Sequence, residues 1–255
     1  MIQTDKFNKY QILINATDFE KSYNEEEYES HVIQALERGG NIQRYVPADF
    51  TLDFNKFDEK DNAKMAIRKR IRANLEKSQV PYTSVLNGIF MERLFDPFYK
   101  WKILNISSKE VEFYSQDPND NPVLDFSLYP TVGRLTALAT TNFLEETKNQ
   151  TLTVVEESFS IHDLAQMLTN ELGHGEWRVK HLGTIKDLEA KIIDRVKAKT
   201  EPDDQFGWDY LHAIFCGKGM IDGSSELTNK ILGKQETVLL HQVVKEKTEQ
   251  KLANE

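Results

Sequence analysis

The sequence predicts an α/β fold: a parallel sheet with helices on both faces, followed by a smaller α+β lobe. Two observations carry this. Within residues 1–90, short apolar runs of strand length alternate with stretches of helical periodicity. The order is strand, helix, strand, helix, strand with short loops, which is the pattern of a parallel sheet with right-handed crossovers. After Phe90 that rhythm breaks, and aromatic and turn residues take over.

The elements follow in order. "YQILINA", residues 10–16, is a short apolar run with branched residues, as a strand requires. "NEEEYESHVIQALERGG" is a helix in which Tyr28, Val32, Ala35 and Leu36 share a face. Acids crowd its first turn and Gly39 and Gly40 end it, which suits the helix dipole and the C-cap. "IQRYVP" is the second strand. "EKDNAKMAIRKRIRANLEKSQ" is the second helix, with Ala63, Ile67, Ile71 and Leu75 recurring every four residues. "VPYTSVLNGIF" is the third strand, running into a loop at Gly88. Farther on, "VEFYS" and "TLTVVEE" read as short strands, "DPNDNP" as a turn and "TVGRLTALATTNFLEE" as a helix. "SIHDLAQMLTNELG" opens as a helix capped by Ser160. "EWRVKHL" is a strand, "TIKDLEAKIIDRVKAK" a helix starting at Thr184, and the C-terminal stretches "GWDYLHAIFCGKGMIDG" and "ETVLLHQVVKEKTEQ" are largely helical.

Composition narrows the function classes. The 255 residues are 39% hydrophobic and 29% charged, values of a globular chain with enough apolar surface for a core. A formal charge of −9 argues against nucleic acid as a partner. No apolar run approaches the roughly 18 residues that span a bilayer, and the first residues lack the pattern of a signal peptide. A single cysteine, Cys216, allows no intrachain disulfide, so a reducing, cytoplasmic location is expected.

Several residue groups invite a chemical reading. "RYVPADFTLDF", residues 44–54, is a strand that ends at Pro47 and opens into a loop. In a parallel sheet such loops line the ligand crevice. The second helix carries Lys60, Lys64, Arg68, Lys69, Arg70, Arg72 and Lys77. This basic stretch is either a solvated face or a phosphate contact, and it lacks the interleaved aromatics of a base-stacking surface. The histidines have no metal-ligand spacing, so no metal site is expected. Cys216 stands four residues after His212, either as a nucleophile or as a structural thiol. Phe90, Met91, Leu94, Phe95, Phe98, Tyr99 and Trp101 form either an apolar substrate pocket or the seam between two lobes.

Three stretches, in this order, carry a family resemblance: "ALERGGNIQRYVPADF", "AIRKRIRANLEKSQVPYTSVLNGIF" and "VGRLTALATTNFLEETKNQTLTVVEESFSIHDLAQMLTNELG". They resemble the NmrA-like and isoflavone-reductase-like branch of the atypical short-chain dehydrogenases, over roughly residues 1–180. The resemblance implies a Rossmann-like NAD(P)-binding core at 1–90 and 130–155, and a substrate lobe at 91–129 and 156–255. It implies an NADP or NAD cofactor and a small-molecule carbonyl or enone substrate reduced by hydride transfer. The cofactor-contacting loops would be those at Ala16 and Thr17, at Pro47, Ala48, Asp49 and Phe50, and at Asn87, Gly88 and Phe90. The family's catalytic lysine falls at Arg68 here. An arginine stays protonated and cannot shuttle a proton near neutrality. Lys64, one turn earlier, is the substitute amine.

Part of the family pattern is missing. The first glycine in the sequence is Gly39, so no glycine-rich phosphate-binding turn precedes it. Gly217 and Gly219, with Gly223, have the wrong spacing for one and read as a loop. Residues 1–16 look like the approach to the family's fourth strand, so the fold is expected to be a partial Rossmann-like sheet without its first strands. "QILINA" would then be an open edge, free of proline and charge, which invites pairing with another chain. A homodimer, a partner chain completing the sheet, and a truncated form of a longer protein all fit. So do two functions: a reductase homologue, active or inactive as this chain, or a non-catalytic regulatory or scaffold protein that keeps the fold.

Overall fold

A computed structural model describes residues 11–17, 24–95, 103–172, 175–198 and 202–233. The first half alternates as expected: β1 (Ile12–Ile14), α1 (Glu25–Gly39), β2 (Arg44–Val46), α2 (Ala63–Lys77) and β3 (Thr83–Leu86). Then follow β4 (Ile89–Phe90), β5 (Leu104–Asn105), β6 (Glu110–Phe113), β7 (Val123–Ser127), α3 (Tyr129–Thr141), β8 (Gln150–Thr153) and β9 (Glu157–Ser160). The described residues end with α4 (Ile161–Leu172), β10 (Arg178–His181), α5 (Ile185–Lys197), α6 (Pro202–Phe215) and α7 (Glu226–Leu232). β7 and β9 have no counterpart among the sequence-based expectations. The helical expectation for residues 236–250 lies outside the described residues, as do Phe98, Tyr99 and Trp101.

The main sheet is parallel. β1 pairs with β2 in the register Ile12 to Arg44, and β3 pairs with β8 in the register Thr83 to Gln150. A parallel bridge between Tyr45 and Tyr82, with the Tyr45 N–H donating to the Pro81 carbonyl at 2.8 Å, joins the two pairs. The strand order is therefore β1-β2-β3-β8. Two mixed sheets complete the fold, β4-β7-β9 and β10-β6-β5. Among the described residues β1 has a strand neighbour on one side only, and Ile14 is 45% exposed.

Alternation along β3 assigns the helices to faces, because successive side chains point to opposite sides. Tyr82 packs with Val32, Leu36, Tyr45 and Leu75, so α1 and α2 cover its face. Val85, on the other face, packs with Leu135, Ala139 and Ile231, so α3 and α7 cover that one. The largest apolar cluster joins Leu52, Phe54 and Phe57 to β6, β7, α4 and α6. Met91, Leu94 and Phe95 of the aromatic-rich stretch are buried in it.

The helix faces differ from the simple periodic reading. On α1 Tyr28 is 39% exposed, while Glu25, Glu29 and Ile33 turn inward beside Val32, Ala35 and Leu36. On α2 Ala63 is exposed and Ile67 half-buried, while Met65, Ala66 and Arg72 join Ile71 and Leu75 inside. Both faces carry buried polar side chains, Glu25, Glu29 and Arg72, beside their apolar ones. Caps match expectation better. Gly40 closes α1 in the left-handed conformation, while Asn24, not singled out in the sequence, caps its start by accepting from the Glu27 N–H. The Ser160 hydroxyl accepts from the Asp163 N–H at 3.1 Å.

Gly88 lets β3 turn into β4 with φ of 69°, and a Cβ there would stand 2.5 Å from the Asp125 carbonyl oxygen. Gly88→Ala is therefore expected to destabilise the fold by about 3 kcal/mol. Gly133, inside α3, has open space where a Cβ would go. Gly133→Ala is expected to gain about 0.5–1 kcal/mol. Urea unfolding of both variants checks the pair, and equal effects would contradict it.

Candidate functional site

Four parallel strands place the ends of β1, β2, β3 and β8 along one edge, where ligands of open α/β sheets bind. All three loops singled out in the sequence open there. Ala16 and Thr17 are exposed after β1. Pro47, Ala48 and Asp49 are buried after β2, and Asn87 and Gly88 are buried after β3. Phe50 and Phe90 are half-buried against the α3 cluster, and the Phe90 ring lies 4.3 Å from that of Tyr129.

Hydrogen bonds fasten these loops together. Asn87 and Gly88 both donate their N–H groups to the Thr51 carbonyl, at 3.0 and 3.2 Å. Inside the second loop Asp49 N–H reaches Pro47 and Thr51 N–H reaches Asp49. The Asn15 side-chain oxygen accepts from both the N–H and the hydroxyl of Thr17, an Asx turn that shapes the first loop. The Asn87 amide is fully buried, and neither its oxygen nor its nitrogen has a hydrogen-bond partner among the described residues. Such a group is costly unless something polar meets it.

Asp49 serves the scaffold. Its carboxylate faces Arg72 at 3.3 Å and accepts from the Ser84 hydroxyl at 2.7 Å. Arg72 also donates to the Thr151 hydroxyl at 3.1 Å, and its guanidinium lies over the Tyr82 ring. Arg68 leaves α2 between two other elements. It forms an ion pair with Glu25 of α1 at 3.1 Å and donates to the Ala48 carbonyl. Lys64 is half-buried one turn earlier. Two more cations of the basic stretch are paired: Lys69 with Asp58 at 3.0 Å and Arg70 with Glu26 at 2.7 Å, the latter pair holding the Glu26 carboxyl below its ordinary range.

Sequence reasoning missed two groups at this edge. Glu29, Asn15 and Tyr45 form a buried triad: Asn15 donates to Glu29 at 2.6 Å, and the Tyr45 hydroxyl donates to the other carboxylate oxygen. Glu29 and Leu36 are seven residues apart on one helix face, so phase alone could have shown that an acid turns inward. At the start of α3, Glu156 accepts from the Leu128 N–H at 2.6 Å and Glu92 from the Tyr129 N–H at 2.9 Å. Both acids cap a helix whose own cap residue, Leu128, cannot. Burial raises the Glu156 carboxyl above its ordinary range.

His212 and Cys216 lie on and just after α6. His212 Nε2 lies 3.3 Å from Glu189, and the Cys216 thiol donates to the Ala213 carbonyl. Burial pushes that thiol up, which disfavours the nucleophilic thiolate.

The Asp49–Arg72 pair gives a test. Asp49→Ala strands a buried guanidinium and is expected to cost about 3–5 kcal/mol. Combined with Arg72→Met the loss should be much smaller than the sum of the two single losses. Urea unfolding of the four-member cycle measures this, and additive losses would show that the pair is not coupled.

Comparisons with known proteins fit this geometry. A family model described as the NmrA-like family matches residues 5–193. Eugenol synthase 1 of Petunia hybrida is 33% identical over 75 residues, 27% of this chain and 24% of that protein. The matched stretch thus spans about a quarter of that relative's length. The solved structure of AtPrR2 with NADP+ and (+)pinoresinol superposes with a TM-score of 0.73 at 15% identity, covering 95% of this chain and 77% of that one. Leucoanthocyanidin reductase from Vitis vinifera, solved as a binary complex with NADPH, gives 0.72 at 16% identity, covering 95% and 76%. At such identities the structures establish the α/β fold, and the family match, over well more than half of the sequence, establishes the lineage: the chain belongs to the NmrA-like family.

Proposed function

We propose that this chain is an NAD(P)-linked reductase homologue whose carboxyl-edge loops form the nicotinamide-facing half of a dinucleotide site. The observation that carries the reading is the fastening of the β2 and β3 loops at Thr51, beside the exposed loop after β1. The orphaned Asn87 amide fits a polar ligand group at that edge. A bound nicotinamide would supply hydride to a small carbonyl or enone. Lys64 is assigned the proton donor, and Arg68 the positioning of the Ala48 carbonyl. The segment 91–129 and most of 156–255 are assigned the substrate side. Residues 1–38 hold no glycine, so within them no glycine-rich turn is available to hold the phosphates.

One observation favours a second reading, a non-catalytic regulatory or scaffold protein. Arg68, at the position that the family resemblance gives to a catalytic lysine, is committed to Glu25 and the Ala48 carbonyl. Here the β1 edge, with its exposed Ile14, would receive a partner chain or a second copy.

Fluorescence titration of the folded 255-residue chain with NADPH and NADH separates the two. The reductase reading expects saturable binding at micromolar levels, with Lys64→Ala keeping the affinity and losing turnover. Absence of binding up to millimolar cofactor would overturn it in favour of the second.

A further inference from the structure

Neither reading uses the carboxyl group of Glu29. It is 2% exposed on the inner face of α1, yet it joins three elements. Asn15 Nδ2, at the end of β1, donates to one oxygen at 2.6 Å, and the Tyr45 hydroxyl of β2 donates to the other. The Asn15 side-chain oxygen passes the connection on to Thr17 in the exposed loop.

The charges around Glu29 do not neutralise it. Its own helix brings Glu25 and the loop after β2 brings Asp49, both acids. α2 brings Arg68, which is already paired with Glu25 at 3.1 Å. β1 and β2 offer the neutral side chains of Asn15 and Tyr45. Burial, the largest cause, pushes the carboxyl up from 4.5 to about 7, against the opposing pull of the Tyr45 hydrogen bond.

We propose that Glu29 is a proton-operated latch on the seam between α1, β1 and β2, closed while its carboxyl is protonated and loosened when it ionises. The protonated group can donate to the Tyr45 oxygen and accept from Asn15, which leaves no charge in the seam. The ionised group is a buried anion without a cation of its own. The sign follows from linkage. Opening the seam hydrates Glu29 and returns it to the ordinary carboxylate range, so the closed state binds the proton more tightly. Raising the pH between those two values therefore favours opening, and the effect levels off above about 7. What loosens is the edge strand with exposed Ile14 and the loop with Ala16 and Thr17. The latch does not depend on the reductase reading, because it needs no cofactor.

Amide hydrogen exchange of the 255-residue chain, corrected for intrinsic rates, tests this at about pH 6 and about pH 8. Peptides covering β1 and α1 should be about tenfold less protected at the higher pH, and peptides covering β6 and β10 unchanged. Glu29→Gln should remove the difference. Equal protection at both pH values, or the same difference in the Gln variant, would overturn the latch. If that variant does not fold, infrared titration of a Glu156→Gln background decides, since Glu156 is also raised. A protonated-carboxyl band that titrates near neutrality supports the latch, and its absence overturns it.

Discussion

Asp49 and Arg72 are each 4% exposed, and removing two such charges from water costs several kcal/mol for each ion. The geometry here offsets that cost. Asp49 also takes the Ser84 hydroxyl, and Arg72 also reaches Thr151 and the Tyr82 ring. One ion pair thereby ties the loop after β2 to α2, β3 and β8. The position of that loop decides where the β3 loop can sit, because Asn87 and Gly88 hang from Thr51. The carboxyl edge is thus built outward from a buried charge pair.

Much of the fold was legible because its signals are local. Apolar runs marked β1, β2 and β3, Ser160 marked a helix start, and Gly40 marked a helix end. β7 was harder to see. Its sequence, VLDFS, carries Asp125 in the middle, and an acid there argues against a buried strand. The structure explains the acid: Asp125 is 5% exposed and accepts from Ser158 and from the Ile221 N–H. Those partners lie 33 and 96 residues away in sequence, and no local pattern announces them.

The same limit applies at the site. The loops could be placed from strand order alone, since parallel strands share a carboxyl edge. The role of each side chain could not, because it depends on long-range partners. In the sequence Asp49 reads as a loop acid with a structural or a ligand-facing role, and no local pattern shows that Arg72 and Ser84 meet it. Arg68 and Arg72 are four residues apart on one helix and read alike, yet one pairs with α1 and the other with the loop after β2.

Glu25 and Glu29 show how that spacing produces different chemistry from one residue type. Both are buried on the inner face of α1, one turn apart. Glu25 meets the Arg68 guanidinium at 3.1 Å. Glu29 meets an amide and a phenol, which can serve either protonation state. A buried acid with a dedicated cation ties two elements together through an ion pair, here α1 to α2. A buried acid with only neutral donors holds its proton more weakly in any open state than in the closed one, so its seam must respond to pH. The α1–α2 contact and the α1–β1 contact therefore differ in kind. The first anchors the helix at Arg68, and the second leaves the strand at the open end of the sheet free to be released.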